Sequence, residues 1–130
     1  MDIKIRELSE FNDHQRIIRL DEPNSGLRGF VAIHHRRGSM PCLGATRLWN
    51  YETEEEALQD ALRLSYRMTY KSALAGLPYG GAKATLMVTE KGLANREELF
   101  RLYAQIIDRL DGIFVTGADV GVGQSDLNIM

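Results

Sequence analysis

Residues 76–84, GLPYGGAKA, lie where the pattern of the sequence changes from helix to strand. The segment resembles a nucleotide phosphate loop, because Gly76 and Gly81 are five residues apart and Lys83 follows soon after them. A phosphate loop, however, follows a strand and leads into a helix, so that free amides and the helix dipole face the phosphate. Here the order is reversed. We therefore interpret the segment as a turn from a helix into a strand, in which Gly80 and Gly81 supply unusual backbone angles.

The helix before this turn is predicted from its capping and its periodicity. Thr53 and Glu56 have the spacing of a capping box, in which the hydroxyl accepts from the third amide and the carboxylate returns to the cap amide. The helix is expected to run to about Ala75, because Gly76 and Pro78 would end it. Apolar and small residues recur at helical spacing along it: Ala57, Leu58, Ala61, Leu62, Leu64, Ser65 and Met68.

The remaining elements are predicted on either side of this helix. Residues 15–35 are typical of a β-hairpin that turns at EPNSG, and residues 43–49 of a third strand. After the glycines, residues 84–88 and 113–116 predict two short strands, separated by a second helix that Asn95 caps. This order predicts an α/β domain with a mixed β-sheet and helices packed on it.

Composition and charge narrow the possible functions. The chain has 130 residues, of which 44% are apolar and 26% charged, so we expect one domain that spans residues 1–130. The net charge of -2 gives no reason to expect nucleic acid or an anionic membrane as a partner. No run of about 18 apolar residues is present to span a bilayer, and the N-terminal MDIKIRELSEF lacks the apolar stretch of a signal peptide.

The single cysteine, Cys42, cannot form an internal disulfide, so we expect a cytoplasmic location and a buried structural thiol. His14, His34 and His35 do not fall at ligand spacing with Cys42 or with paired carboxylates, which argues against a metal site. The final residues SDLNIM have a helix-start pattern, capped at residue 125 or 126, that stops after barely one turn. We therefore expect the chain to be one piece of a longer protein.

Two interpretations of the lysines stay open on the residues alone. In the first, the glycines form only a turn and Lys83 is a solvated lysine at a strand edge. In the second, Lys71 at the end of the helix and Lys83 after the turn come to the same end of the sheet and bind an organic anion. Two lysines that share a partly desolvated pocket repel each other, which favours a neutral amine on one of them. Asp119, in the loop after the last strand, would supply a general acid or base.

Three separated motifs resemble a known family: LGATRLW, ALRLSYRMTYKSALAGLPYGGAK and TGADVGV. They are similar to the N-terminal substrate domain of the glutamate/leucine/phenylalanine/valine dehydrogenases, and the similarity covers nearly the whole chain from about residue 15. The resemblance implies that Lys71 binds the substrate α-carboxylate, that Lys83 activates the water which attacks the imino intermediate, and that Asp119 transfers protons. Gly44 matches the stretch that lines the substrate pocket. The implied reaction is reversible oxidative deamination of an L-amino acid to a 2-oxo acid, with hydride passing to NAD or NADP.

The same resemblance carries expectations on specificity and assembly. Glutamate-specific members have a lysine where this chain has Leu43, and an apolar Leu43 would leave a buried acidic side chain unpaired. We therefore expect an apolar amino acid to be preferred over glutamate.

The cofactor is expected to be bound by a C-terminal domain absent from this chain, so the isolated chain should be inactive. A homo-oligomer is expected, with the hairpin of residues 15–35 as an open edge. The alternative is a non-enzymatic oligomerisation or amino-acid-binding module.

Overall fold

A computed structural model describes residues 4–7 and 14–130 of the protein. Most of the N-terminal segment that argues against a signal peptide lies outside these residues. No helix in the described ranges is long and apolar enough to cross a bilayer. The elements of the described chain are, in order, β1 (Lys4–Glu7), β2 (Arg16–Glu22), β3 (Leu27–His35), β4 (Cys42–Trp49), α1 (Glu54–Leu74), β5 (Gly80–Met87), α2 (Glu90–Ala94), α3 (Arg96–Asp108), β6 (Phe114–Gly117) and α4 (Gln124–Ile129).

The strands form one mixed sheet in the order β1-β2-β3-β5-β4-β6. Strands β1, β2, β3 and β5 pair antiparallel in succession, whereas β4 runs parallel to both β5 and β6. The central strand β5 therefore joins an antiparallel half of the sheet to a parallel half. This arrangement confirms the predicted α/β class with a mixed sheet and helices packed on it.

The edge of the sheet differs from the expectation. The hairpin β2–β3 was expected to offer an open edge, but β1 pairs along β2 from Lys4 opposite Asp21 to Glu7 opposite Ile18. That expectation was wrong, because residues 4–7 form a strand that covers the free edge of β2. No turn signal in the sequence indicates this strand. Among the described residues, the edge strands are β1 and β6.

Helices cover the sheet on both faces. On one face α1 packs on β3 and β5 through the small buried residues Ala57, Ala61 and Ser65. On the other face α3 buries Phe100 and Tyr103 in the larger apolar core. Side chains alternate along a strand, so the odd-numbered positions 81, 83 and 85 of β5 face α1 and the even-numbered positions 82, 84 and 86 face α3. All eight residues of β5 are buried.

The glycines of residues 76–84 do not form the expected turn. Only Gly76 has a left-handed backbone, with φ 72°, and it follows the C-cap of α1. Gly80 and Gly81 are instead the first residues of β5, which begins before the predicted residue 84. A Cβ atom on Gly81 would lie 2.1 Å from the amide nitrogen of Thr69 and 2.5 Å from the carbonyl oxygen of Ser65. The prediction of unusual angles was therefore wrong: Gly81 is glycine because the backbone of α1 occupies the place of a side chain.

The helix α1 lies where it was predicted, with one difference at its start. The Thr53 hydroxyl accepts a hydrogen bond from the Glu56 amide at 3.2 Å. The Glu56 carboxylate accepts from the amide of Glu52 at 3.1 Å, and not from the cap amide as expected. The cap therefore satisfies two amides, as a capping box does, but one residue earlier in the chain.

Two later helices differ from the prediction. The short helix α2 was not predicted; Thr89 caps it by accepting from the Gly92 amide at 3.0 Å. The last helix, α4, begins at Gln124, so the prediction of a cap at residue 125 or 126 was wrong. Asp126 instead accepts from the Gly123 amide at 3.0 Å and from Arg96 at 2.8 Å, which places it inside the first turn. The predicted cap of α3 is confirmed, since Asn95 accepts from the Glu98 amide.

Candidate active site

The helix α1 covers only part of its face of the sheet. It packs mainly on β3 and β5 and to a smaller extent on β4, and β6 lies beyond β4. Four residues form this uncovered area, which we call the open shelf: Leu43 and Ala45 from β4, and Val115 and Gly117 from β6. Leu43 pairs with Val115 and Ala45 with Gly117, and the residues between them face the opposite core. Val115 is 48% exposed, so the shelf is accessible.

Lys83 lies at the inner edge of the shelf. It is on β5, on the α1 side, and its side chain is only 7% exposed. Pairing of Leu43 with Gly81 and of Thr46 with Ala84 places Lys83 beside Ala45. Because neither Ala45 nor Gly117 carries a bulky side chain, the lysine has room to extend across β4. Its ammonium group donates a hydrogen bond to Oδ2 of Asp119, which follows β6.

Asp119 is held by two cations. Its Oδ2 atom accepts from Lys83 Nζ and, at 3.0 Å, from Nε of Arg47. Partial burial alone would raise the pKa of Asp119. The hydrogen bonds from Lys83, from the Val120 amide and from Arg47 outweigh that effect and hold its pKa below 3.8. Asp119 is therefore ionised at neutral pH.

A second carboxylate stands behind Arg47. The Nη1 atom of Arg47 donates to Oδ2 of Asp60 on α1 at 3.1 Å, and the Tyr51 hydroxyl donates to the same oxygen at 2.5 Å. Burial acts to raise the pKa of Asp60, but the hydrogen bond from Tyr51, followed by those from Arg63 and Arg47, holds it below 3.8. Burial and the Asp60 carboxylate raise the pKa of Tyr51, so it stays a donor.

Lys71 lies in the last turn of α1 and is exposed. It forms no ion pair with any residue of the described ranges. Asp60 and Lys71 are eleven residues apart, which brings them within about 20° of the same side of the helix and separates them by about 16 Å along its axis. Because Asp60 faces Arg47 and the shelf, Lys71 leaves the helix on the side of the shelf. The carboxylate partner of Lys83 is Asp119, and the expected interaction between Lys71 and Lys83 stays a prediction.

Leu43 and Gly44 are neighbours on β4 with opposite orientations. Leu43 faces the shelf and is half-buried. Gly44 faces the other core, where a Cβ atom would lie 1.8 Å from the Ala82 carbonyl oxygen and 3.2 Å from the Phe114 ring. Close packing is thus a sufficient reason for glycine at position 44, and its expected role in lining the substrate pocket stays a prediction.

Sequence reasoning did not identify Arg47, Asp60 or Tyr51 as part of this site. Arg47 belongs to the motif LGATRLW but has no signal of its own there, and Asp60 lies in the capped helix among polar positions. One feature of the sequence could have indicated Asp60. It is a charged residue next to the apolar stripe of α1, and a carboxylate that is partly buried there needs a cation or a hydrogen-bond donor as its partner. Finding that partner requires the order of the strands, which brings β4 next to β6.

The cysteine and histidines lie away from this site. Cys42 is the first residue of β4, and its side chain lies in the core on the α3 side of the sheet as a free thiol, whose pKa is raised by burial. His34 is buried, and its Nδ1 atom lies 2.9 Å from the Thr69 hydroxyl, while its ring packs between His14, His35 and Tyr66. Within residues 4–7 and 14–130, no group of three or more His, Cys, Asp or Glu side chains is arranged to hold a metal ion.

Comparison with known proteins points to one group of enzymes. The family described as "Glu/Leu/Phe/Val dehydrogenase, dimerisation domain" matches residues 14–130. A leucine dehydrogenase from Bacillus cereus is 39% identical over 130 residues, which are 100% of this chain and 35% of that protein. A phenylalanine dehydrogenase from Bacillus thermotolerans is 38% identical over 117 residues, 90% of this chain and 30% of that one. The crystal structure of L-tryptophan dehydrogenase from Nostoc punctiforme superposes with a TM-score of 0.82 at 38% identity, over 90% of this chain and 34% of its own. The chain thus spans about a third of the length of these relatives.

Proposed function

Because the chain belongs to the Glu/Leu/Phe/Val dehydrogenase family, we propose that residues 1–130 are the substrate-binding and oligomerisation domain of an NAD(P)-dependent L-amino-acid dehydrogenase. The reaction is reversible oxidative deamination of an L-amino acid to a 2-oxo acid and ammonia. The observation that carries the proposal is the hydrogen bond between Lys83 and Asp119 at the inner edge of the open shelf. An amine and a carboxylate held together beside an accessible surface suit proton transfer to a small ligand.

The catalytic roles follow from the charges of the two groups. Asp119 is ionised and accepts the proton that the substrate ammonium group releases. Lys83, fixed over Ala45, orients and activates the water that attacks the imino carbon of the substrate: it takes the proton that this water loses as it passes its own proton to Asp119, which has by then released the first proton to solvent. Lys71 binds the substrate α-carboxylate as a point cation, since it is exposed on the shelf side of α1 and has no carboxylate partner among the described residues.

The nicotinamide cofactor, NAD or NADP, supplies the hydride acceptor when it is bound. The described residues do not fit a dinucleotide site: Gly121 and Gly123 precede a helix of only six residues, and the GxGxxG fingerprint is absent. We therefore assign no cofactor-binding residue to this chain. The relatives are about three times as long, and we propose that the cofactor is bound by a domain outside these 130 residues. The isolated chain is then expected to be inactive.

The side-chain preference is assigned to Leu43; Gly44 follows it on β4 and faces the other core, so only its backbone would line the pocket. Leu43 and its neighbour Val115 give the shelf an apolar end. A substrate carboxylate buried there would lack a partner, which favours leucine, phenylalanine or another apolar amino acid over glutamate. Leucine, phenylalanine and tryptophan dehydrogenases are all similar to this chain, which supports the same preference.

A homo-oligomer in the cytoplasm is part of the proposal. The matching family is described as a dimerisation domain, and β1 and β6 are edge strands of the described sheet. The free thiol of Cys42 suits a reducing compartment.

The test uses the protein expressed from its complete reading frame, with NADH formation measured for leucine, phenylalanine, tryptophan and glutamate. We expect turnover of the apolar amino acids, and loss of that turnover in Lys83→Ala while the circular dichroism spectrum is kept. The matched control is Lys91→Ala, since Lys91 is exposed on α2, away from the shelf. Retained turnover in the Lys83→Ala protein would contradict the catalytic role that we assign to Lys83. Binding of amino acids without any turnover would support the non-enzymatic alternative.

The specificity is tested by Leu43→Lys in the same protein. The new ammonium group would neutralise a substrate side-chain carboxylate, so the ratio of kcat/KM for glutamate to that for leucine should rise at least about tenfold, the effect of roughly 1.4 kcal/mol. Leu93→Lys makes the same change at an exposed position of α2 and should leave the ratio unaltered. An equal ratio in the two variants would contradict the assignment of Leu43.

A further inference from the structure

The guanidinium group of Arg47 joins two carboxylates that come from different elements. Its Nε atom donates to Asp119, in the loop after β6, and its Nη1 atom donates to Asp60 on α1. The side chain is 22% exposed, and Asp119 and Asp60 are 20% and 13% exposed, so all three are largely shielded from water. An arginine can do this because its donors lie in one rigid plane.

The far end of this arrangement is itself fixed. Asp60 accepts from the Tyr51 hydroxyl at 2.5 Å and from Arg63 at 2.5 Å, in addition to Arg47. Tyr51 is half-buried and packs against the cluster formed by α1 and the sheet. Three donors therefore fix the position of the Asp60 carboxylate, and Asp60 in turn fixes the position of the Arg47 guanidinium group. We call Asp60 the anchor of Arg47.

The loop that carries Asp119 is held by its backbone without help from Arg47. The Leu48 amide donates to the Val120 carbonyl at 3.0 Å, and the Val122 amide donates to the carbonyl of Asp119 at 3.0 Å. A Cβ atom on Gly121 would lie 2.0 Å from the Leu48 carbonyl, which shows how closely the loop approaches β4. Arg47 thus acts on the carboxylate of Asp119 more than on the path of the chain.

We propose that Arg47 is a positioning residue for the proton transfer: anchored by Asp60 and Tyr51, it directs the Asp119 carboxylate toward Lys83 and keeps it ionised. The inference rests on the proposed function, because it assigns Arg47 a part in that same site. Lys83 and Arg47 bind the same oxygen, Oδ2, from two adjacent strands. Without Arg47, only Lys83 and the amide of the neighbouring Val120 would hold the carboxylate, and no group on β4 would then fix its orientation.

The charged groups around Asp119 determine whether the loss of Arg47 would shift the protonation of its carboxylate to higher or to lower pH. Lys83 faces it from β5 and Arg47 from β4, while α1 contributes Asp60 behind Arg47. A cavity of about 410 Å³ adjoins the arginine, and Glu56 of α1 lines it together with Trp49, Tyr51 and Val120. Removing Arg47 would leave Asp119 with one cation in place of two and with the negative charges of Asp60 and Glu56 nearby. The carboxylate would therefore be protonated at a higher pH than in the unaltered protein.

The experiment compares Arg47→Met, Arg47→Lys and Tyr51→Phe in the protein from the complete reading frame. For Arg47→Met we expect kcat to fall about 10- to 100-fold, as for a misplaced catalytic group, and the acidic limb of the pH profile of kcat/KM to move to higher pH. Arg47→Lys keeps the charge but cannot bind both carboxylates in one plane, so kcat should fall while the acidic limb moves less. Tyr51→Phe removes only the anchor's hydroxyl donor and should lower kcat by a smaller factor.

The matched control is Arg19→Met. Arg19 is also a strand arginine between two carboxylates, Asp21 at 3.4 Å and Glu54 at 2.5 Å, and it is similarly shielded at 27% exposure. Its loss should leave the pH profile unchanged even if it lowers the melting temperature. An acidic limb that stays in place in a folded Arg47→Met protein, or that moves equally in Arg19→Met, would overturn the proposal.

A second readout separates this inference from the proposed function. The titration of the Asp119 carboxyl carbon is followed by NMR in the 130-residue chain, with and without Arg47→Lys and Arg47→Met. A higher titration midpoint in Arg47→Met, with no turnover in the unaltered complete protein, would contradict the dehydrogenase function and keep the electrostatic role of Arg47. Turnover in the unaltered protein with an unchanged midpoint in Arg47→Met would contradict the role of Arg47 and keep the function.

Discussion

Replacing Gly81 by alanine tests how closely β5 and α1 are packed. A Cβ atom at position 81 would lie 2.1 Å from the Thr69 amide nitrogen and 2.5 Å from the Ser65 carbonyl oxygen. Both are backbone atoms in the middle of α1, so no side-chain rotation can relieve the overlap. Ordinary van der Waals contact would require the helix and the strand to separate locally by about 1 Å.

The free-energy cost of separating α1 from β5 depends on the atoms that are in contact between them. Adding one carbon to a packed core typically costs about 1–3 kcal/mol, and more where the neighbours cannot move. The neighbours here are helical backbone, and separation would also stretch the 2.8 Å hydrogen bond from the Thr85 hydroxyl to the Ala57 carbonyl. We therefore expect Gly81→Ala to lower the free energy of unfolding by about 3 kcal/mol or more, a large part of the about 5–15 kcal/mol that a domain has.

The assay is urea denaturation of the 130-residue chain, followed by circular dichroism. The control is Gly117→Ala, another strand glycine, where a Cβ atom would make only an ordinary contact of 3.8 Å with the Gly44 carbonyl oxygen. That change should be neutral or stabilise by up to about 1 kcal/mol, because alanine restricts the unfolded chain. A loss below about 1 kcal/mol for Gly81→Ala would refute the close packing of α1 on β5.

The remaining predictions concern buried polar groups. Tyr103 is fully buried and its hydroxyl lies 2.6 Å from that of Thr46, so Tyr103→Phe should cost about 1 kcal/mol in urea denaturation; an effect below 0.3 kcal/mol, on the order of experimental error, would contradict it. The hydrogen bonds from Arg96 hold the pKa of Asp126 below 3.8, so the stability this pair contributes is present above about pH 4 and is lost as the pH falls through the lower folded value. Asp126→Asn should therefore flatten the dependence of the unfolding free energy on pH below about pH 4, whereas an unchanged slope would show that other carboxylates determine it.

Local patterns were sufficient to predict the helix α1 and the hairpin β2–β3. The helix α1 has a strong cap at Thr53, a long apolar stripe and a glycine end at Gly76, and each of these signals acts within a few residues. The hairpin β2–β3 was equally clear, because its turn formers separate two apolar runs. Lys83 and Asp119 were named as candidate site residues from the pattern and received their roles from the resemblance, but the sequence spacing alone did not show that they meet.

What the sequence did not reveal depends on atoms that are distant along the chain. Gly81 was assigned a turn, since nothing near it in sequence indicates that the backbone of α1 lies against it. Arg47, Asp60 and Tyr51 were missed because their connection to Asp119, which is 72 residues after Arg47, exists only when β4 lies between β5 and β6. The cap of α4 was misplaced for a related reason: Asp126 suits a cap locally, but Arg96 binds it from α3.

The central position of β5 has a consequence for hydrogen exchange. Its amides pair with β3 on one side and β4 on the other, and both of its faces are buried, under α1 and under α3. No small opening of the molecule exposes them, because fraying of an edge strand or lifting of one helix leaves the other partners in place. The amide of Lys83 should therefore exchange at the rate set by global unfolding, while amides of β6 exchange through local opening. The lysine that we propose as catalytic would then lie on the most protected strand of the domain, and its acidic partner near one of the least protected.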